Sequence, residues 1–257
     1  MIPPRSPAVR VEAFSKNYGA FEAVWALTFT VEPGEIVGLV GANGAGKTTT
    51  LRAITGILRP TAGRISVGGF DLEKDPISAK QRFAYIPDTV HPYELLTVTE
   101  HLHFVALAYR IKDARSKYAA LLDELELADK KDEPASNLSR GMLQKLSLAC
   151  AFLREPSVII LDEPLTGLDP RGIRNIKQSI HRRAEQGTAF LLSSHLLMLV
   201  EALCDRVLIL DRGRKVALGS LAEIRGLATL HKGASLEDVF FAVTEGGSVK
   251  EPQEAPV

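Results

Sequence analysis

Nowhere in the 257 residues does an apolar run approach the roughly 18 to 20 residues that a membrane-crossing helix needs. The longest candidate, residues 189–200, is broken by Ser193-Ser194-His195, so any membrane role is expected to come through a partner. The opening Met1-Ile2-Pro3-Pro4-Arg5 has no apolar signal core, and the expectation is a soluble, cytoplasmic chain. Surplus charge is lacking too, since Lys+Arg and Asp+Glu both count 31. A non-specific grip on nucleic acid needs a basic excess, so no nucleic-acid partner is expected. Cysteine is scarce: Cys150 and Cys204 lie in apolar helical surroundings without metal-ligand spacing and read as buried, reduced thiols. There is no internal repeat, so whatever site the chain holds, it holds once.

What is present is a regular alternation. Residues 9–14 and 26–31 alternate as strands, with Pro33-Gly34 as a turn before the nearly continuous apolar run of residues 35–40, the pattern of a strand buried on both faces. Leu51, Ile54, Ile57 and Leu58 recur at helical spacing over residues 48–58, and Pro60 is expected to stop that helix. Residues 64–67 form a short strand ending at Gly68-Gly69. The pattern is helical from 97 to about 154, with segments marked by Leu102 and Val105, by residues 118–127, and by Leu143, Leu146, Cys150 and Leu153. Strands return at 158–161 and 189–192 between helices at 171–185 and 196–203, and residues 207–210 and 215–218 close the chain as a strand pair. Strand–loop–helix units at both ends imply an α/β core with a parallel sheet, interrupted by an inserted helical block.

Three segments carry chemistry. Gly41-Ala42-Asn43-Gly44-Ala45-Gly46-Lys47-Thr48 lies between a buried strand and an amphipathic helix. Its glycines let successive N–H groups turn toward phosphate oxygens, and the helix adds its positive dipole end. Lys47 is placed to reach the β- and γ-phosphates of ATP and Thr48 to offer a hydroxyl to Mg2+, with Thr49 beside them. Second, residues 158–161 end in Asp162-Glu163, two acids at the carboxyl edge of a parallel sheet, where such sheets bind ligands. Asp162 suits the metal's shell; Glu163 is the candidate to activate the attacking water. Third, Ser139 in Leu138-Ser139-Arg140-Gly141-Met142 stands at a helix start. It reads as an N-cap or, with Gly141, as an anion site. The pair His101 and His103 is read as structural, because residues two apart on a helix diverge by about 200°.

With these motifs in order, the chain resembles the ATP-binding subunit of an ABC transporter over residues 9–219. The resemblance implies a P-loop NTPase core with a parallel sheet, an N-terminal antiparallel β subdomain and an inserted α-helical subdomain. The boundaries expected are one unit over 1–247: core 1–88 and 157–220, helical subdomain 89–156 and C-terminal extension 221–247. The tail 248–257 is expected to be disordered. It further implies Mg-dependent hydrolysis of ATP by two subunits paired head to tail, as a homodimer or with a paralogue. Tyr18 resembles the aromatic residue that stacks on adenine. Ser139 and Gly141 match the groups that touch the other subunit's γ-phosphate. Thr166-Gly167-Leu168-Asp169 resembles the loop at the dimer seam, and His195 the switch histidine contacting the γ-phosphate.

Two motifs leave the family's pattern. Arg140 and Met142 replace a glycine and the glutamine of the usual Leu-Ser-Gly-Gly-Gln. After residues 83–87, Asp88 stands where the family has a glutamine, and is expected in the metal's outer shell. The favoured partner is a multi-span membrane permease, docked on residues 88–99 through Pro92, Tyr93, Leu95 and Leu96 and holding the chain at the inner face of the cell membrane. Residues 201–207 and 235–240 resemble exporter-type cassettes of the ABC-2 kind. The alternatives are a soluble ABC ATPase of nucleic acid or ribosomes, and a non-transport scaffold such as an iron–sulfur assembly ATPase.

Overall fold

The computed structural model describes residues 6–227 and 233–245. The expected tail at 248–257 lies outside the described residues, as do parts of the extension expected at 221–247. Strands β1 (Val9–Tyr18) and β2 (Phe21–Val31) form a hairpin about Gly19, whose φ of 59° closes the turn. β3 (Ile36–Val40), the phosphate loop and α1 (Lys47–Ile54) follow, then β4 (Ala62–Val67), β5 (Phe70–Asp71), α2 (Pro76–Arg82) and β6 (Phe83–Ile86). The chain then becomes helical through α3 (Val98–Ala108), α4 (Arg115–Glu124) and α5 (Arg140–Leu153). It returns to alternation with β7 (Val158–Asp162), α6 (Pro170–Glu185), β8 (Ala189–Ser193), α7 (Leu197–Leu203), β9 (Arg206–Asp211) and β10 (Arg214–Gly219), and ends in α8 (Leu221–Leu227) and α9 (Leu236–Glu245).

The strands build two sheets. One is antiparallel in the order β2-β1-β4-β5; the other has the order β10-β9-β3-β8-β7-β6, parallel except for its β10 edge. Residue parity sends each parallel strand's side chains to two different cores. Val37, Leu39, Ile160, Leu191 and Leu208 face α1 and the antiparallel sheet. Ile36, Val40, Ile159, Leu161 and Phe190 face the helices of the other side. Both faces being covered explains why β3 and β7 read as unbroken apolar runs, each such side chain contributing about 1.5–3 kcal/mol on burial.

Several local expectations change. The helix after the phosphate loop ends at Ile54, not near Leu58, because Gly56 takes φ 67° and its N–H bonds Ala53 O. That glycine ends the helix before Pro60 can, and Ile57 is left exposed. β1 and β2 are longer than their apolar alternation, and α2 and β5 lie in a polar stretch that carries no periodic signal. α2 is held at its start by Asp75, which accepts from Ser78 N. α3 starts on a capping box between Thr97 and Glu100. Both cysteines are free, and burial pushes the Cys150 thiol up to about 12 and the Cys204 thiol higher still. His101 is structural, its Nδ1–H donating to Thr97 O and its Nε2 accepting from Tyr93 N–H.

Candidate functional site

The carboxyl ends of β3, β8, β7 and β6, neighbours in that order, bring four loops to one edge of the sheet. From β3 comes the phosphate loop. Gly46 adopts φ 101°, and a β-carbon on it would stand 2.9 Å from Val24 Cγ2. One on Gly41 would stand 2.5 Å from Leu210 O, so the loop presses on β2 and β9 where no side chain fits. Ala45 is buried and its carbonyl accepts Gly213 N–H at 3.1 Å, which ties the loop to the β9–β10 turn. Lys47 starts α1, whose first N–H groups have no intrahelical acceptors. Its ammonium donates to Gly41 O at 2.7 Å and Ala42 O at 3.1 Å. Burial holds that ammonium below the usual lysine range, an effect partly offset by the carboxylates of Glu163 and Asp162.

Tyr18 and Phe21 are cross-strand partners at the hairpin end, both exposed, and share a cleft of about 250 Å³ with Asn43, Gly44, Lys47, Thr48 and Thr49. The ammonium of Lys16 lies 5.3 Å from the Tyr18 ring centroid and donates to Arg59 O, which steadies the ring. Phe21 escapes a motif reading; only hairpin register sets it beside Tyr18.

β7 and β8 supply the acids and their holders. Asp162 is 5% exposed, and its Oδ1 accepts from Ser193 Oγ at 2.5 Å. The two residues are register partners on adjacent parallel strands. On β6, Tyr85 neighbours the same carboxylate; burial, with the charge of Asp162, pushes its phenol up to about 12. Glu163 breaks from the strand at φ 51°, and its N–H donates to Ser193 O. Its Oε2 accepts from His195 Nδ1–H at 2.8 Å and from Ser194 Oγ at 3.3 Å. Ser193 and Ser194 were visible as polar residues ending an apolar strand, whereas Tyr85 becomes legible only through the β6–β7 register.

Thr48 is exposed at the start of α1. Its hydroxyl and the Asp162 carboxylate are hard oxygen donors of the kind Mg2+ takes. Among the described residues no group of three or more His, Cys, Asp or Glu could hold a metal alone. A cation here would draw the rest of its shell from phosphate and water.

The remaining candidates are not gathered at that cleft. Ser139 caps α5, accepting from Met142 N at 3.3 Å. Gly141 lies against the loop that follows β7: a β-carbon on it would stand 2.8 Å from Gly167 O. Asp169 caps α6 by accepting from Gly172 N at 3.1 Å. Asp88, just beyond β6, accepts from Arg140 Nη2 at 3.2 Å. The segment after Asp88 exposes Tyr93 and Leu95 beside Phe104, and Leu107 and Tyr109 of the α3 region are exposed as well. Beneath them runs a mostly apolar groove of about 440 Å³ lined by Tyr85, Pro87, Val90, Tyr93, Phe104 and Tyr109.

A phosphate loop, an acid pair held by serines and a histidine, and a helical block between β6 and β7 form an arrangement whose relatives can be identified. The family model described as ABC transporter matches residues 24–166. The chain belongs to the ABC transporter family. Its ATP-binding relatives include the ABC-type transporter ATP-binding protein EcsA of Bacillus subtilis, 38% identical over 221 residues, which are 85% of this chain and 89% of that protein. The Nod factor export ATP-binding protein I of Ralstonia nicotianae is 34% identical over 85% of this chain and 69% of its own length. A solved ATP-binding subunit of an ABC transporter superposes with a TM-score of 0.88 at 38% identity, covering 92% of this chain and 99% of that one. The ABC fold and its ATP-binding role thus rest on sequence and architecture together. Among the described residues no helix is long and apolar enough to cross a membrane.

Proposed function

We propose that this chain is the ATP-hydrolysing subunit of a membrane transporter, of the exporter kind, working as a head-to-tail pair with an identical or paralogous subunit. The observation that carries the reading is the division of its motifs. The phosphate loop, Asp162 and Glu163 meet at one sheet edge, while Ser139 caps α5 and Gly141 packs on Gly167 in the loop after β7. A second chain supplies that missing half.

In the composite site Tyr18 stacks on adenine, and Gly41 to Thr49 wrap the phosphates with their N–H groups and the Lys47 ammonium. Thr48 and Asp162 would hold Mg2+, which would offset phosphate charge there, while Asp88, expected in its outer shell, is engaged by Arg140. Ser193 fixes the orientation of Asp162 through their hydrogen bond. Glu163 draws a proton from the attacking water, and His195 holds that carboxylate in place from the side open to solvent. Ser139 and Gly141 of one subunit, with Asp169 at the seam, close over the γ-phosphate of the other. The exposed aromatics and the groove beside residues 88–99 receive a cytoplasmic helix of the permease, so closure of the pair moves the membrane subunit. The chain is then peripheral on the inner face of the membrane. Its balanced charge supports a protein and nucleotide partner set without nucleic acid.

The test is size-exclusion of Glu163→Gln with ATP. The expected result is a dimer that reverts to monomer when Ser139→Ala is added. A dimer indifferent to Ser139, or no dimer at all, refutes the reading. Recovery of a multi-span protein with the chain from detergent-solubilised membranes tests the permease.

A further inference from the structure

Arg140 is the first residue of α5, directly after the cap Ser139, and its side chain crosses to the core. A β-carbon on Gly167 would meet Arg140 Cδ at 3.4 Å and Cγ at 3.6 Å, so its stem lies over the loop after β7. Its guanidinium reaches Asp88 Oδ1 at 3.2 Å in the loop after β6. One side chain therefore links three segments: the start of α5, the 166–169 loop and the exit of β6.

Charge gives the link its point. β6 and β7 are parallel neighbours with Ile86 opposite Leu161, and Asp88 and Glu163 stand two residues beyond that pair, in the loops that leave the two strands. With Asp162 they put three carboxylates at the edge proposed to receive the triphosphate. Lys47 carries the cation that faces Asp162 and Glu163; Arg140 carries the one that faces Asp88. Two of the three positions at which the chain leaves its family's pattern are thus joined, and their charges cancel. The side chains are 61% and 51% exposed, a setting in which an ion pair adds little stability and opens readily.

We propose that Arg140 is a positioning residue that neutralises Asp88 and ties the start of α5 to the core, so that ATP binds at a sheet edge relieved of one negative charge. This rests on the nucleotide site assigned above. The tie is weak enough to part when the helical segment moves, and strong enough to matter to a highly charged ligand.

The experiment is a double-substitution cycle on the full chain, read as equilibrium affinity for a fluorescent ATP analogue, with thermal midpoints recorded on the same samples. Arg140→Ala is expected to weaken binding about two- to five-fold at low salt, the range an exposed ion pair spans. Arg140→Lys keeps most of the affinity, because one charged contact suffices. With the Asp88 charge also removed, the Asp88→Asn, Arg140→Ala double variant is expected to bind within about two-fold of wild type. The difference shrinks as salt rises, since screening acts within about 3 Å at 1 M. A double variant as weak as Arg140→Ala alone, or no loss on Arg140→Ala, overturns the proposal. A wild-type chain that does not bind the analogue overturns the functional reading, and the proposal with it.

Discussion

Replacing Glu163 by glutamine separates chemistry from architecture at this site. The side chain is 17% exposed and accepts two hydrogen bonds, at 2.8 Å from His195 and 3.3 Å from Ser194. Glutamine is nearly isosteric and keeps an acceptor oxygen, so the structural loss is confined to the charge assistance of those two bonds. His195 is 58% exposed, which keeps that loss to about 1 kcal/mol or less. In a chain of this size 1 kcal/mol moves the melting midpoint by about 2–4 °C. The chemical loss is larger. A positioned general base contributes about 10²- to 10⁴-fold, which at 1.36 kcal/mol per decade is about 2.7–5.4 kcal/mol of barrier. Steady-state phosphate release should therefore fall by at least about 100-fold, with the midpoint within about 4 °C of wild type. ATP affinity should hold or rise, because the substitution removes a carboxylate from the γ-phosphate's side. Turnover within tenfold of wild type on a folded sample refutes the assignment of Glu163 as base. A fall in turnover matched by a large fall in midpoint refutes the premise that its two hydrogen bonds are replaceable.

Gly141→Ala places a β-carbon 2.8 Å from Gly167 O, and relieving that overlap by shifting the loop costs about 1–3 kcal/mol. Urea denaturation should show this loss, and ATP-dependent dimerisation should weaken with it. Glu124 joins α4 to α6 through Arg182 and Arg183, each at 2.6 Å. Burial raises its carboxyl, but hydrogen bonds from Arg183 and Ser179 and the charges of both arginines outweigh it and hold the carboxyl below the usual glutamate range. A carboxyl depressed by folding stabilises above its unfolded value, near 4.3, and that contribution fades as pH falls through the folded value. Glu124→Gln should cost about 1–3 kcal/mol at pH 7 in denaturant titrations, with Arg183 left partly buried, and progressively less as pH drops below about 4.3.

Legibility tracked the range of the interactions. The phosphate loop, Asp162-Glu163 and the Ser139 cap are fixed by residues within a few positions of one another, and sequence order alone locates them. A strand buried on both faces announces itself by its unbroken apolar run, so β3, β7 and β8 were placed almost to the residue. The end of α1 is not legible from Pro60, the stronger stop in the sequence, because Gly56 turns the chain first. α2, capped by Asp75 in a polar stretch, showed no period to read.

The sequence by itself determined the nucleotide chemistry, because phosphate binding depends on a contiguous loop whose residue types are dictated by backbone geometry. Tertiary structure alone decided the company those residues keep. Strand order β3-β8-β7-β6 placed Ser193 on one side of Asp162 and Tyr85 on the other. Hairpin register put Phe21 beside Tyr18. The packing of α5 on the core carried Arg140 across 52 positions to Asp88. These partnerships join residues far apart in the chain, and only the sheet's hydrogen-bond register and the packing of its helices bring them within reach.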